Sequence, residues 1–200
     1  MSRFVLKRLH SLSGLVPLGA FLILHFFSSS YVFISEAAFN EQVRSLGLLP
    51  LGFFLEIVFI FLPLLFHIFL GLVIVYRGEN NFANYPFLNN WLYFLQRLTG
   101  IGALVFVMVH VYSTRFYFLT SNGSVTFQAL RSTLNNSYWF WFYLVGILAT
   151  TFHFSNGIRT TLMTWGITVG ESVQTVTLTL SSLVFLGTSF WGVAILLKFI

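Results

Sequence analysis

The chain has 200 residues, of which 57% are hydrophobic, 20% are aromatic and only 8% are charged. A soluble domain carries about 25% charged residues, so this composition excludes an ordinary soluble protein and predicts a surface that faces lipid. The net charge of +5 comes from scattered residues, so we predict no nucleic-acid partner. The absence of cysteine excludes disulfides, thiolate-ligated haem and iron–sulfur clusters held by this chain.

Polar stretches separate five apolar segments, each near the ~20 residues that cross a bilayer as a helix. We therefore predict an all-α membrane protein with five transmembrane helices forming a bundle, in one domain over 1–200. The predicted helices are about 11–34, 53–76, 91–114, 138–158 and 174–197.

The basic residues give the predicted orientation. With a cytoplasmic N-terminus, that side holds six of them and the other side holds four, and the positive-inside rule favours the arrangement. The six are Arg3, Lys7, Arg8, Arg77, Arg97 and Arg159, and the four are Arg44, Arg115, Arg131 and Lys198. We expect a multi-pass protein of the bacterial cytoplasmic membrane.

Each of the first four apolar segments contains one histidine: His25, His67, His110 and His153. A histidine in hydrocarbon is costly and normally faces the protein interior, so each is a candidate functional residue. Four imidazoles on four helices can supply the axial ligands of two bis-histidine haems. Zinc or copper sites, a proton relay and simple helix–helix hydrogen bonds are the alternatives.

The depths of the histidines sort them into two pairs. Measured along each helix from its basic residue on the cytoplasmic side, His153 lies ~9 Å and His67 ~15 Å deep. His110 lies ~20 Å and His25 ~25 Å deep by the same measure. We predict an inner pair, His67 with His153, and an outer pair, His25 with His110, around two stacked haems.

Several further residues are candidates for contact with such haems. Gly71 and Gly157 each follow a proposed ligand by four residues, where a missing side chain lets a porphyrin lie against the backbone or lets helices pack closely. Arg97 begins the third apolar segment, and it either binds a propionate of the inner haem or snorkels to lipid headgroups. Arg8 and Arg159 are weaker candidates for the same role.

Two more residues stand apart from the four histidines. His10 is at the start of the first helix, and its depth matches neither pair, so we expect it to bind a propionate, a partner subunit or nothing. Glu56 lies near the outer end of the second segment. A carboxyl there can donate a proton to a quinone near the outer haem, although an ordinary interfacial glutamate is the alternative.

Five blocks of sequence resemble the cytochrome b558 subunits of Bacillus-type succinate dehydrogenases, in the family's order and spacing. They are Arg8-Leu9-His10-Ser11-Leu12-Ser13-Gly14, Leu55-Glu56-Ile57 with Phe61-Leu62-Pro63-Leu64 and His67, Leu95-Gln96-Arg97-Leu98-Thr99-Gly100-Ile101, Phe152-His153-Phe154-Ser155-Asn156-Gly157, and Thr164-Trp165-Gly166-Ile167-Thr168. The resemblance covers nearly the whole chain.

The resemblance implies a five-helix anchor subunit of succinate:quinone oxidoreductase with two haems b. The family's axial ligands fall on the same four histidines. In that family the anchor binds an iron–sulfur subunit on the cytoplasmic side, which carries a flavoprotein subunit. Electrons pass through the inner and then the outer haem to quinone, usually menaquinone. The chain has no flavin or dicarboxylate motif, so it is predicted not to be an enzyme on its own.

Three other functions compete with this interpretation. The cytochrome b subunit of another quinone-linked dehydrogenase or hydrogenase would share the histidines, but the Phe152–Gly157 block argues against it. A transporter or channel would show inverted repeats or broken helices, and the sequence shows neither. A haem-free structural anchor would lack haem absorption.

Overall fold

A computed structural model describes residues 3–116 and 125–200. Within these ranges the chain is helical with short connections and has no β-strand, which confirms the all-α prediction. We number the helices in chain order: α1 Phe4–Phe33, α2 Glu36–Gly47, α3 Gly52–Arg77, α4 Leu88–Phe116, α5 Phe127–Leu134, α6 Ser137–Thr164 and α7 Glu171–Leu197.

Four of these helices, α1, α3, α4 and α7, are long and apolar enough to cross a membrane. Helix α6 is 28 residues long. The helices extend further than the predicted segments, most clearly α1, which begins before 11, and α6, which continues past 158. The reason is that a helix continues for one or more polar turns beyond the hydrocarbon core. Hydropathy detects only the apolar residues in the middle of the helix.

Wide π turns interrupt three of the spanning helices. They lie at Gly14–Leu18 in α1, Ile57–Phe61 in α3 and Tyr112–Phe116 in α4. The first contains Pro17, and the second ends two residues before Pro63. Proline removes a backbone donor and clashes with the preceding turn, and a π turn is one of the ways in which a helix accommodates this.

Helix α6 lies between α4 and α7 and packs closely against both because the facing residues are small. The Thr151 and Ser189 hydroxyls are 2.8 Å apart and join α6 to α7. A Cβ added at Gly192 would lie 2.8 Å from Ile147 Cγ2, so the glycine permits this approach. Small and hydroxylated residues are typical of helix contacts in membranes.

Two short helices, α2 and α5, cover the end of the bundle where α1 ends, which we call the far end; the near end is where α1 begins. Ser35 and Thr126 cap them with their side-chain oxygens. Asn40 Oδ1 accepts from the Phe127 N–H at 2.8 Å and joins the two helices. The buried cluster below them contains Phe26, Val32, Phe39, Phe127, Leu134, Ile195, Leu196 and Phe199. Both helices fall in stretches that the sequence predicts as polar connections between the apolar segments.

Candidate cofactor site: two histidine pairs

The structure brings His67 of α3 and His153 of α6 together near the middle of the near half of the bundle. Their ring centres are 6.1 Å apart and the ring planes are nearly perpendicular, at 83°. Two imidazoles that share one metal have ring centres roughly 6 Å apart, because a metal–nitrogen bond is about 2 Å long. The observed separation is therefore of the size that one shared iron requires.

Hydrogen bonds to main-chain carbonyls fix the protonation of both rings. His67 Nδ1 lies 3.0 Å from the His10 carbonyl oxygen, and His153 Nδ1 lies 3.0 Å from the Gln96 carbonyl oxygen. A carbonyl oxygen only accepts, so each Nδ1 carries the proton and donates it. Each Nε2 then keeps a free lone pair, which is the usual arrangement of a metal-binding histidine.

Two glycines on neighbouring helices leave space for these rings. A Cβ added at Gly14 of α1 would lie 2.5 Å from His67 Cε1, and one added at Gly100 of α4 would lie 2.8 Å from His153 Cε1. Such distances are far below van der Waals contact, so neither position accepts a side chain without a shift of the imidazole. Neither glycine is among the haem-contact residues predicted from the sequence.

Gly71 and Gly157, the two glycines predicted from the sequence to contact haem, have other neighbours. A Cβ at Gly71 would lie 3.2 Å from His10 Nε2, and one at Gly157 would lie 3.5 Å from Gln96 Nε2. Gly157 therefore sits at an ordinary helix contact, which is the packing alternative considered for it.

His10 lies in the near site, and the prediction that its depth matches neither pair is wrong. Its ring stacks on that of His67 with centres 4.1 Å apart and planes at 11°. Its Nε2 is buried with no hydrogen-bond partner among the described residues. A count of residues along a helix gives only the level of the Cα, whereas the ring of His10 reaches α3, where a Cβ added at Gly71 would lie 3.2 Å from His10 Nε2.

The second pair, His25 of α1 and His110 of α4, lies in the far half. Its ring centres are 5.7 Å apart with planes at 75°. The ring of Phe21 stacks beside His25, and that of Phe106 stacks beside His110. His110 Nδ1 is 3.3 Å from the Tyr143 hydroxyl, which can accept or donate. The far pair is thus surrounded by aromatic rings, whereas the rings of the near pair are hydrogen-bonded to main-chain carbonyls.

The two pairs lie at two levels of the bundle. Along α4, Gly100 faces His153, and His110 follows ten residues later, which corresponds to about 15 Å of helix. Along α1, Gly14 faces His67, and His25 follows eleven residues later, about 16 Å. The rings that lie close together are the ones that the sequence depths group, and their roles as paired ligands stay a prediction.

Three arginines at the near end are bound to neutral groups. Arg97 is buried at 8% exposure, donates to Asn80 Oδ1 and is hydrogen-bonded to Tyr93. Arg159, at 5% exposure, donates to Asn89 Oδ1 at 2.6 Å. The third is Arg8. Among the described residues none of the three contacts a carboxylate, and in each of them Nε is buried without a partner. A buried guanidinium strongly favours an anion.

Glu56 forms an ion pair with Arg115, with Oε2 and Nη2 2.7 Å apart. Both side chains are about one-third exposed, so the pair lies at the margin of the bundle. Arg115 follows His110 by five residues, about 8 Å along the helix. The pair joins α3 to the end of α4 close to the far histidine pair.

The fold is a bundle of long apolar helices, and the bundle encloses two pairs of imidazoles. These features are those of a multi-helical membrane protein with two paired-histidine sites. The family model for the succinate dehydrogenase/fumarate reductase transmembrane subunit matches residues 82–196. The succinate dehydrogenase cytochrome b558 subunit of Bacillus subtilis (strain 168) is 38% identical over 197 residues, covering 98% of this chain and 97% of that protein.

The chain belongs to the family of succinate dehydrogenase/fumarate reductase transmembrane subunits. This confirms the resemblance found in the sequence and the prediction of a multi-pass membrane protein. It also confirms that the chain is a membrane subunit of such a complex and not the catalytic subunit.

Proposed function

We propose that this chain is the membrane anchor and electron-transfer subunit of a succinate:quinone oxidoreductase, and that it binds two haems b. His67 and His153 would be the axial ligands of the inner haem, and His25 and His110 those of the outer haem. The observation that carries this proposal is the geometry of the pairs, with ring centres 6.1 and 5.7 Å apart at two levels of one bundle.

The donor set favours haem over a bare metal ion. Zinc sites use three or four protein ligands, whereas each pair here offers two imidazoles. A porphyrin supplies the four equatorial nitrogens itself and needs only two axial ligands. In the near pair, both Nδ1–H groups already donate to carbonyls, so both Nε2 atoms are available.

When bound at both levels, haem would supply one-electron carriers that link the two faces of the membrane. The protein's part is to hold and orient the ligands and to stabilise the anionic propionates. Arg97 and Arg159, buried and without carboxylate partners among the described residues, and Arg8, whose Nε is also buried and unpartnered there, fit the inner propionates. Gly14 and Gly100 provide the clearance around the inner ligands.

We propose five membrane crossings with a cytoplasmic N-terminus, α6 being the fourth. Its length of 28 residues corresponds to about 42 Å, enough to cross the bilayer. Its buried Thr151 bonds to α7, and its buried Asn156 and Arg159 bond to α4, so these polar groups need not meet lipid. The near end, with its arginines, would then face the cytoplasm.

The partners follow from this orientation. The iron–sulfur subunit, with the flavoprotein subunit on it, would dock at the near end, next to the inner haem. Quinone, menaquinone in our proposal, would be reduced near the far pair. Glu56, a carboxylate in its ion pair with Arg115, would take up a proton from water at the far end and pass it to the reduced quinone.

Single histidine substitutions test the proposal. In the purified complex, His153→Ala and His67→Ala should each remove the same one of two haem b signals, and His25→Ala and His110→Ala should each remove the other. His10→Ala is the matched control because it removes an imidazole of the near site without removing a proposed ligand. Retention of two unchanged haems in any of the four ligand variants would refute the assignment.

A further inference from the structure

A reciprocal set of hydrogen bonds joins α4 and α6 at His153. The His153 ring donates from Nδ1 to the Gln96 carbonyl oxygen at 3.0 Å. The Gln96 side chain donates from Nε2 to the His153 carbonyl oxygen, also at 3.0 Å. Each residue thus binds the main chain of the other, and the two helices are held in register at this level.

Asn156 fixes the orientation of the Gln96 amide. It is buried, at 5% exposure, and its Nδ2 donates to Gln96 Oε1 at 2.7 Å and to the Leu92 carbonyl oxygen at 3.1 Å. Because Oε1 accepts from Asn156, the amide nitrogen of Gln96 must point to the other side, towards His153. The approach of that nitrogen to His153 Nδ1, at 3.2 Å, is then a close contact between two donors.

Among the described residues, none of the other three candidate ligands has this support. The His67 ring donates to the main chain of His10, with a serine hydroxyl 3.4 Å away. For His110, the described part of the chain gives one ring hydrogen bond, with the Tyr143 hydroxyl. The hydrogen bonds of Gln96 and Asn156 therefore support His153 and not the other three candidate ligands.

We propose that Gln96 and Asn156 are positioning residues that hold the His153 ring in one tautomer and one orientation. This inference rests on the proposed function, in which His153 is an axial ligand of the inner haem. A carbonyl that accepts from Nδ1–H increases the electron donation of the ligand to iron and stabilises the oxidised state. Loss of the two side chains frees the helices to shift, and that hydrogen bond weakens.

The test uses the variants Gln96→Met and Asn156→Leu, which keep the approximate volume and remove the amide, in the purified complex. Thr150→Val is the control, because the hydrogen bond that the described residues give the Thr150 hydroxyl stays within α6, to the Gly146 carbonyl at 2.8 Å. The readouts are haem content, the midpoint potential of each haem, and the low-temperature electron paramagnetic resonance signals of the oxidised haems, which report ligand orientation. The haem that His153→Ala removes identifies the inner signal.

We expect both variants to shift the electron paramagnetic resonance signal of the inner haem and to raise its midpoint potential. The outer haem should keep its wild-type signal and potential, and the control variant should match the wild type at both haems. Because the residues act as one unit, the double variant should shift the inner midpoint by less than the two single shifts together. Loss of the inner haem alone also supports the proposal.

Unchanged inner-haem signals and potentials at full haem content would overturn the positioning role. Equal changes at both haems would also overturn it. So would the loss of both haems from the Gln96 and Asn156 variants when the Thr150→Val control keeps them. Those results would leave the ligand assignment standing. A wild-type complex without two bis-histidine haems would instead refute the proposed function.

Discussion

At the scale of single residues, the four membrane histidines could be found from sequence because each is the one imidazole of an apolar segment. Their pairing followed from counting residues along helices of constant rise. Their hydrogen-bond partners could not be found in this way. The carbonyls of His10 and Gln96 belong to other helices, and a main-chain acceptor leaves no mark on the residue type.

His10 shows how the counting fails. A count of residues along a helix gives the level of each Cα and not that of the ring it carries. The ring of His10 lies away from its own Cα and stacks on the ring of His67, with centres 4.1 Å apart. A depth counted from the nearest basic residue therefore misplaces a side chain that extends towards the neighbouring helix.

Glu56 carries the first prediction at this scale. Glu56→Gln replaces a carboxylate that can take up and pass on a proton by an amide of the same size that cannot, so we expect succinate-driven quinone reduction to slow by roughly tenfold or more, as for loss of a general acid–base group. The spectra of both haems should stay unchanged. Turnover of quinone at the wild-type rate would remove Glu56 from the proton path.

The ion pair provides the control for that experiment. Arg115→Gln breaks the same contact and leaves the carboxyl of Glu56 in place. If both variants slow turnover equally, the pair acts by joining α3 to α4 and not by supplying a proton.

At the scale of elements, hydropathy predicted the spanning helices well because a bilayer demands long apolar runs. It missed α2 and α5 because they lie across the far end, where only one face is buried. Each did leave a local signal: a Ser35 or Thr126 cap followed by a buried Phe39 or Phe127. Read with the helical period, such a pattern predicts a short amphipathic helix.

The close approach of α1 to α3 is an element-scale feature that Gly14 makes possible. Gly14→Ala places a methyl group 2.5 Å from His67 Cε1, so the ring or the helix must move. Overpacking of this kind costs about 1–3 kcal/mol. We expect the variant to lose the inner haem, or to bind it with an altered spectrum, while the outer haem is unchanged.

Two other glycines provide matched controls. A Cβ at Gly187 would meet no described atom within 4 Å, and one at Gly157 would make an ordinary contact at 3.5 Å. Gly187→Ala and Gly157→Ala should therefore keep both haems, and haem content per chain decides. Loss of the inner haem in Gly157→Ala would instead restore the haem contact first predicted for that position.

At the scale of the whole molecule, the fold arranges two similar sites along one bundle with different surroundings. The near pair donates to carbonyls, and the same end of the bundle holds three arginines with no carboxylate partner in the described part of the chain. The far pair lies among aromatic rings and one hydroxyl. Such differences tune iron potentials, so we expect two haems of distinct midpoint.

The orientation in the membrane can be tested cleanly because the chain has no cysteine. With a cytoplasmic N-terminus, a cysteine at Asn84, between α3 and α4, should react only with a thiol reagent that reaches the cytoplasmic face. A cysteine at Ser132 on α5 should react from the outside of intact cells. Both positions are exposed. The reverse labelling pattern would invert the proposed topology, and with it the side on which the partner subunits dock.

The central claim is that each imidazole pair holds one haem, and the most direct measurement is a redox titration of the purified complex with haem quantified per chain. The account predicts two haems b per chain, both low-spin and bis-histidine, that titrate at two separate midpoint potentials. A single haem per chain, or none, would contradict it.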